Sequence, residues 1–540
     1  NDFKIDRKKD GTYSFNVSGS SLNRFRADVF GKGSADDLEY DKETGIDEAN
    51  ATAEQIMEYL MGKDNFGISS KYDGDLAYRI VVVRYAMLGN RFARYKEVKI
   101  ATDVSDKTVA YVNEHMDTLS GISVNEDMIR KYNYSEYFSS IIGYTGPISE
   151  SEYTALHKKN KDYTQNDTVG KAGLEQYYET YLRGKNGEQK FYIDNVGRIS
   201  EIISSTDSVA GDDLYLSIDA DLQKATYLAL QNEIAAIVYS NIKSGEIPIN
   251  DVYTALIGNS VINTEHFSKA KASDTEKNVL SVFKSRQKTT LGKIKQELTS
   301  SPEALNTMSD EVLDEFTYII SMLKDDQVLL KNEIDTSDSV YQKWKNQKIS
   351  PKEYLSYCIT QHWIDISQLN VDEKYADSTE VYDALCKYIL KNIKTDTEFS
   401  KIIYQYMITR GEISPRQLCL ILFDQGVLDY DDATVNKLKN GSLSPRDFLM
   451  KKIYNIEITP AQLALEPCTG SCVVTDEKTG EIRAMVSYPG YDSNKLANGV
   501  DSEYFASLQH DKSSPLLNYA TQQKTAPGST FKLVSATAGL

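Results

Sequence analysis

Residues 472–494 read CVVTDEKTGEIRAMVSYPGYDSN. Apolar and polar side chains alternate on both sides of Lys478-Thr-Gly480, which predicts a β-hairpin turning at that tripeptide. A polar loop, GYDSNKLANG, follows. The period of two is abrupt, because from about 240 to 460 the pattern is almost wholly helical. Helix starts there are written as Ser/Thr-Pro, at Ser301-Pro302, Ser350-Pro351, Ser414-Pro415, Ser444-Pro445 and Thr459-Pro460. Proline suits the first helical position, where its missing N–H has no partner anyway. Glu353, Gln417, Asp447 and Gln462, three residues after their caps, are placed to close capping boxes. No fixed period relates these starts, so the region reads as an all-α insertion and not as a repeat array.

Upstream, DDLYLSIDADLQKATYLALQNEIAAIV (212–238) predicts a strand at Leu214–Ile218, a cap at Asp219 and a helix with Leu222, Ala225, Ala229 and Ala236 on one face. Residues 1 to about 210 mix strands and helices. EVKIATDVSDKTVAYVNEH (97–115) reads as strand, turn and helix. QKFYIDNVGRISEII (189–203) reads as a hairpin turning at Asn195 to Gly197. Ile80-Val-Val-Val83 is a piece of buried helix or strand, far shorter than a membrane span.

Composition narrows the class. A chain of 540 residues exceeds one compact domain, and roughly three to four is the expectation. With 40% apolar and 26% charged residues it is globular material. A net charge of −18 argues against nucleic acid or an anionic membrane surface as the main partner. Five cysteines without regular spacing are not a disulfide framework, and Cys468 and Cys472 read as buried thiols. The five histidines are scattered, and no metal site or cofactor is expected.

Downstream of the hairpin the chain reads TAPGSTFKLVSATAGL (525–540). Phe531, Leu533, Val534, Ala536, Ala538 and Leu540 point all round a helix, which predicts burial in a core. Ser529 starts that helix, where backbone N–H groups and the helix dipole favour an oxyanion. Lys532 follows one turn on. A lysine in an apolar setting loses its charge more readily and can act as base for the hydroxyl. The same spacing occurs at Ser240/Lys243, Ser268/Lys271, Ser281/Lys284, Ser285/Lys288 and Ser321/Lys324, where solvated neighbours in the helical insertion suffice. For Ser529 the plain alternative is a capping serine with a snorkelling lysine.

The surroundings carry more. SSIIGYTGPISESEY (139–153), VGKAGLEQYYETYLRGKNG (169–187), LYLSIDADLQ (214–223), the hairpin with its P-x-Y-D-x-N loop, and LNYATQQKTAPGSTFK (517–532) occur in the order of one family. Together they resemble the class B penicillin-binding proteins, the monofunctional DD-transpeptidases of bacterial cell-wall synthesis. The resemblance implies a multidomain α+β fold. Residues 1–210 would form an N-terminal pedestal of the dimerisation type, and 211–238 the start of the transpeptidase domain. Residues 239–462 would be an all-helical insertion, and 463–540 the N-terminal part of the transpeptidase domain, ending after the S-x-x-K helix.

The resemblance makes Ser529 the acylated nucleophile, Lys532 its base, and the Ser529 N–H one half of the oxyanion hole. It implies peptidoglycan stem peptides as substrates and β-lactams as inhibitors. It also implies wall-synthesis partners such as a glycosyltransferase, no nucleic acid, and a place on the outer face of the bacterial cytoplasmic membrane. The family's S-x-N and K-T-G elements would follow the serine, and its membrane anchor would precede residue 1. The chain is therefore expected to be a piece cut at both ends and inactive alone. Lys478-Thr-Gly480, Ser14-Phe-Asn16 and Ser21-Leu-Asn23 stand in the wrong places to supply those elements. Two other readings stay open: a non-catalytic scaffold of a wall-synthesis complex, and a serine β-lactamase or β-lactam sensor.

Overall fold

The computed structural model describes residues 3–540 except 9–10, 18, 43, 89–97, 120, 125–128, 166, 194–198, 270, 301–302, 370 and 372–376. Two compact units emerge. One comprises Asn1–Met128 with Gly184–Ala210, the other Ile129–Arg183 with Gly211–Leu540. Residues 129–183 therefore pack with the later part of the chain.

In the first unit, strands Ile5–Arg7 and Tyr13–Phe15 pair antiparallel, and helices Gly19–Phe30, Ala53–Met61 and Gly74–Leu88 pack on them. The core gathers Phe3, Ile5, Phe25, Ile56, Met57, Leu60 and Val81. Ile80–Val83 is helical, and only Val81 of its valines is buried. Val98 to Ile100 form no strand, but the helix Asp106–Glu114 follows as expected, with Ser105 accepting from the Thr108 N–H. Strands Glu188–Ile193 and Ile199–Thr206 form the expected hairpin; its turn at Asn195–Gly197 lies outside the described residues.

In the second unit one helix, Ala220–Ser244, threads two of the cores; at 1.5 Å per residue it runs about 37 Å. Asp219 caps it, accepting from the Leu222 N–H at 2.9 Å. Its first half sets Tyr227 and Ile234 against Val486 and Tyr488 of the hairpin formed by Gly470–Thr475 and Ile482–Tyr488. Its second half sets Val238 and Ile242 into a much larger helical core. The face expected to be buried is not. Leu222, Ala225, Ala229 and Ala236 are exposed, whereas Gln223, Tyr227, Ile234, Val238 and Ile242 point inward. The reason is polar. Gln223 is fully buried because its amide accepts from the Met485 N–H (2.8 Å) and donates to the carbonyls of Met485 (2.9 Å) and Tyr137 (2.8 Å). A pattern scored on hydrophobicity cannot find a face that begins with glutamine.

Leu214–Ile218 is not a strand either. From the stretch the Ser217 hydroxyl donates to the Ile482 carbonyl, the Asp219 N–H that follows donates to the Arg483 carbonyl, and Tyr215 is 89% exposed.

The helical array runs from Ile249–Gly258 to Pro460–Leu463, and four of its helices, Pro351–Thr360, Pro415–Asp424, Pro445–Tyr454 and Pro460–Leu463, begin where the Ser/Thr-Pro starts announce them. Ser414 with Gln417 and Thr459 with Gln462 form complete capping boxes. Ser350 and Ser444 accept from the N–H groups of Glu353 and Asp447 without the full reciprocal box. Ser301-Pro302 lies outside the described residues. Each capped start also has an apolar residue just before the cap and another five positions on: Ile349 and Tyr354, Ile413 and Leu418, Leu443 and Phe448, Ile458 and Leu463. All belong to one core. This is the hydrophobic staple, which fixes the angle at which the chain enters each helix. Phe283 stacks on Tyr404 at 4.2 Å near the middle of the array.

Candidate active site

Polar side chains bonded to main chain hold the loop that follows the hairpin. Helix Ser135–Ile142 lies against the loop after the hairpin so closely that a Cβ on Gly490 would come 1.9 Å from the Glu136 carbonyl oxygen. Ser139 accepts from the Tyr491 N–H at 3.1 Å, and Ser135 from the Ser493 N–H at 2.6 Å. The Asn494 amide pairs with Tyr132 in both directions, accepting its N–H at 2.8 Å and donating to its carbonyl at 3.0 Å. The Asn498 amide does the same with Arg130, at 3.0 and 2.6 Å. Two asparagines thus act as short strand partners for an otherwise unpaired segment.

The GYTG and GKAGLE stretches lock onto the same place. A Cβ on Gly143 would meet the Ala172 carbonyl oxygen at 2.0 Å, and one on Gly170 the Glu175 main chain at 2.1 Å, so both must be glycine. Glu175 is buried and accepts from the Tyr132 hydroxyl at 3.2 Å; Arg130 Nε lies 3.1 Å from it. Burial pushes its carboxyl above the usual range, with Arg130 and Tyr132 pulling it back. Burial and the neighbouring Glu175 push Tyr132 up to about 12. Glu179, also buried, accepts from the Gly170 N–H at 2.7 Å and the Tyr163 hydroxyl at 3.2 Å. Arg183 pairs with Asp167 at 2.7 Å and lies over the Tyr163 ring. The motifs therefore converge on one structural joint. Sequence reasoning quoted most of these motifs but missed Arg130, Tyr132, Asn498 and the burial of Gln223. Polar residues that satisfy main chain carry no hydrophobic period.

From the joint the chain leads to the serine. The Asn518 amide donates to the Ser140 carbonyl at 3.0 Å, and the Tyr519 N–H to the Ser487 hydroxyl at 2.9 Å. From Thr521 onward every residue is exposed. Gly528, at φ +55°, turns the chain into a 3₁₀ turn, Gly528–Phe531, and helix Lys532–Gly539 follows. Ser529 lies in that turn, and its carbonyl accepts the Lys532 N–H. Serine and lysine are thus one turn apart at a helix start, as the spacing predicts. Both side chains are exposed, and no hydrogen bond joins them among the described residues. The burial expected for this helix is not found: Leu533 is 77% exposed and Val534 55%. Among the described residues its eight positions join no core, and Lys532 is not in the apolar setting expected for it.

Lys478-Thr-Gly480 forms an exposed turn in which Asp476 accepts from the N–H groups of Lys478 and Thr479, as a hairpin tip requires. Ser14 lies in the first short sheet and Ser21 in helix Gly19–Phe30. Cys468 is a buried free thiol, pushed up to about 11 by burial; Cys472 is free and half-buried.

Residues 32–216 match the family model of the penicillin-binding protein dimerisation domain, and residues 470–540 that of the penicillin-binding protein transpeptidase domain. The two matches, in this order, support a class B penicillin-binding protein. Among its relatives, the peptidoglycan D,D-transpeptidase MrdA of Salmonella typhimurium (strain LT2) is 29% identical over 157 residues, 29% of this chain and 25% of the relative. Penicillin-binding protein 2A of Bacillus subtilis (strain 168) is 35% identical over 136 residues, 25% of this chain and 19% of the relative. MrdA of Acinetobacter baumannii is 30% identical over 152 residues, 28% of this chain and 22% of the relative. The chain thus matches about a quarter of the length of these relatives. The joint draws residues from both family matches. The helical array falls between them, matched by neither. No helix among the described residues is long and apolar enough to cross a membrane.

Proposed function

We propose that the protein is a peptidoglycan D,D-transpeptidase acting through Ser529. The hydroxyl attacks the carbonyl between the two terminal D-alanines of a stem peptide and passes its proton to the Lys532 amine. The peptide C–N bond breaks, D-alanine leaves with a proton, and an ester to Ser529 forms. The amine of a second stem peptide attacks that ester, restoring the hydroxyl and making the cross-link. The Ser529 N–H supplies one oxyanion donor. β-Lactams acylate the same oxygen by ring opening. The observation that carries the reading is Ser529 and Lys532 one turn apart at a helix start within the transpeptidase match. The proposed setting is the outer face of the cytoplasmic membrane, beside a glycosyltransferase.

The test is intact-mass spectrometry of the full-length protein after exposure to penicillin. A single adduct, mapped to Ser529 and lost in Ser529→Ala, is expected. No adduct, or one that survives Ser529→Ala, overturns the proposal.

A further inference from the structure

We propose that Asn259, in the helical array, is a positioning residue for the segment that carries Ser529; the proposal rests on the acyl-transfer reading above. Asn259 ends helix Ile249–Gly258 and lies between the two family matches. Its amide ties three stretches of chain together. Nδ2 donates to the carbonyls of Ala461 (3.2 Å) and Gln462 (3.1 Å), in the last helix of the array, and to Asp511 Oδ1 (3.1 Å). Oδ1 accepts from the Lys512 N–H at 3.0 Å. Two N–H bonds thus serve three acceptors, and the two carbonyls share one.

What the amide grips is the start of the path to the serine. The same Asp511 oxygen accepts from the Ser513 N–H (2.8 Å) and hydroxyl (2.7 Å), and Ser513 is fully buried. The Ser513 carbonyl accepts from the Tyr519 hydroxyl at 2.8 Å, and the Tyr519 N–H reaches Ser487 on the hairpin. Asn518 and Tyr519 are the last points anchored to the joint and the hairpin before the exposed stretch to Ser529. The array therefore fixes the near end of the segment 511–519, and the hairpin fixes its far end. Releasing the near end lets the segment rotate about the far one, which displaces the serine without removing any group from it.

The test measures acylation of the full-length protein by a fluorescent penicillin, separating binding from the acylation step at saturating ligand. Asn259→Ala and Asp511→Ala are each expected to slow the acylation step roughly tenfold with little change in binding. The double variant should be no slower than the slower single, since both open one latch. Asp511→Asn keeps an oxygen for Asn259 and Ser513 and should acylate at the wild-type rate. Leu449→Ala, in the array core and making none of the latch bonds, should lower the melting temperature further and leave acylation unchanged. Wild-type acylation in Asn259→Ala, or equal slowing in Leu449→Ala, overturns the inference. A wild-type protein that forms no Ser529 adduct overturns the acyl-transfer reading instead.

Discussion

The helical array and the joint are held together by different physics. The array is a large apolar core in which Phe316, Leu323, Phe399 and Met407 are fully buried, and side chains such as Asp396 and Ser414 cap its helix starts. The joint is held by side-chain amides, hydroxyls and carboxylates bonded to main chain, with glycines where two backbones touch. An apolar core tolerates repacking if volume is kept. A polar joint does not, because each lost partner leaves a buried donor or acceptor unmatched. One helix, Ala220–Ser244, belongs to both, and so their responses to mutation can be compared within one unit.

The largest effect belongs to the array. Phe399→Ala removes a ring from a site with no exposure and should cost about 3–5 kcal/mol. Both tryptophans, Trp344 and Trp363, pack with the array, so fluorescence follows its melting, while circular dichroism follows the whole chain. The two probes should separate in this variant if the array can melt first. If they stay together, the shared helix makes one cooperative body and the contrast fails in its simplest form.

Next is Gln223→Ala, which leaves the Met485 N–H and the carbonyls of Met485 and Tyr137 without their partner, at roughly 2–3 kcal/mol. Gln223→Leu, which fills the volume, should do no better, whereas a similar swap in the array is tolerated. Recovery by leucine in a urea melt would show that the joint is an ordinary core.

Gln223 also marks where the sequence stopped being legible. In the array, Ser414-Pro415-Arg-Gln417 states its own cap, and Ile413 with Leu418 states the staple. Periodicity and capping are local rules, and the structure follows them. Around the site, the spacing of Ser529 and Lys532 was legible because a helical turn fixes it. The surroundings were not. Asn494 and Asn498 pair with Tyr132 and Arg130 across more than 360 residues of chain. Asn259 reaches Asp511 across 252. Side-chain to main-chain pairing at that range leaves no period, and the exposure of the helix after Ser529 contradicts the burial that its composition suggests. What could be seen near the joint was motif order, which locates the pieces without saying what each touches.

The third effect reverses with pH. Burial, with Glu311 next, pushes Glu315 in the array up to about 8. An acid whose folded value lies above its unfolded value of 4.5 binds more protons when folded, so stability falls as pH rises from about 4.5 to 8. In the joint, burial raises Asp167, but Thr164 and Arg183 outweigh it and hold it below 3.8. That contribution is present above 3.8 and is lost as pH falls through the lower folded value. Glu315→Gln should therefore raise the fluorescence-detected melting temperature at pH 8 and leave it nearly unchanged at pH 4. An equal gain at both values would mean that the carboxyl is not held protonated.

The smallest effect tests whether the array's legible signals carry energy. Ser414→Ala removes the acceptor for the Gln417 N–H and one side of a complete capping box, and should cost about 1 kcal/mol. Ser444→Ala removes a cap whose reciprocal bond is incomplete, since Asp447 accepts from the serine hydroxyl whereas Gln417 accepts from the Ser414 N–H as well, and it should cost less. Both sites keep their apolar pairs, so the difference isolates the box from the staple. Equal losses in urea melts would assign the stabilisation to the shared serine cap alone. The array would then be specified by Ser-Pro and its flanking apolar residues, with the glutamine a bystander.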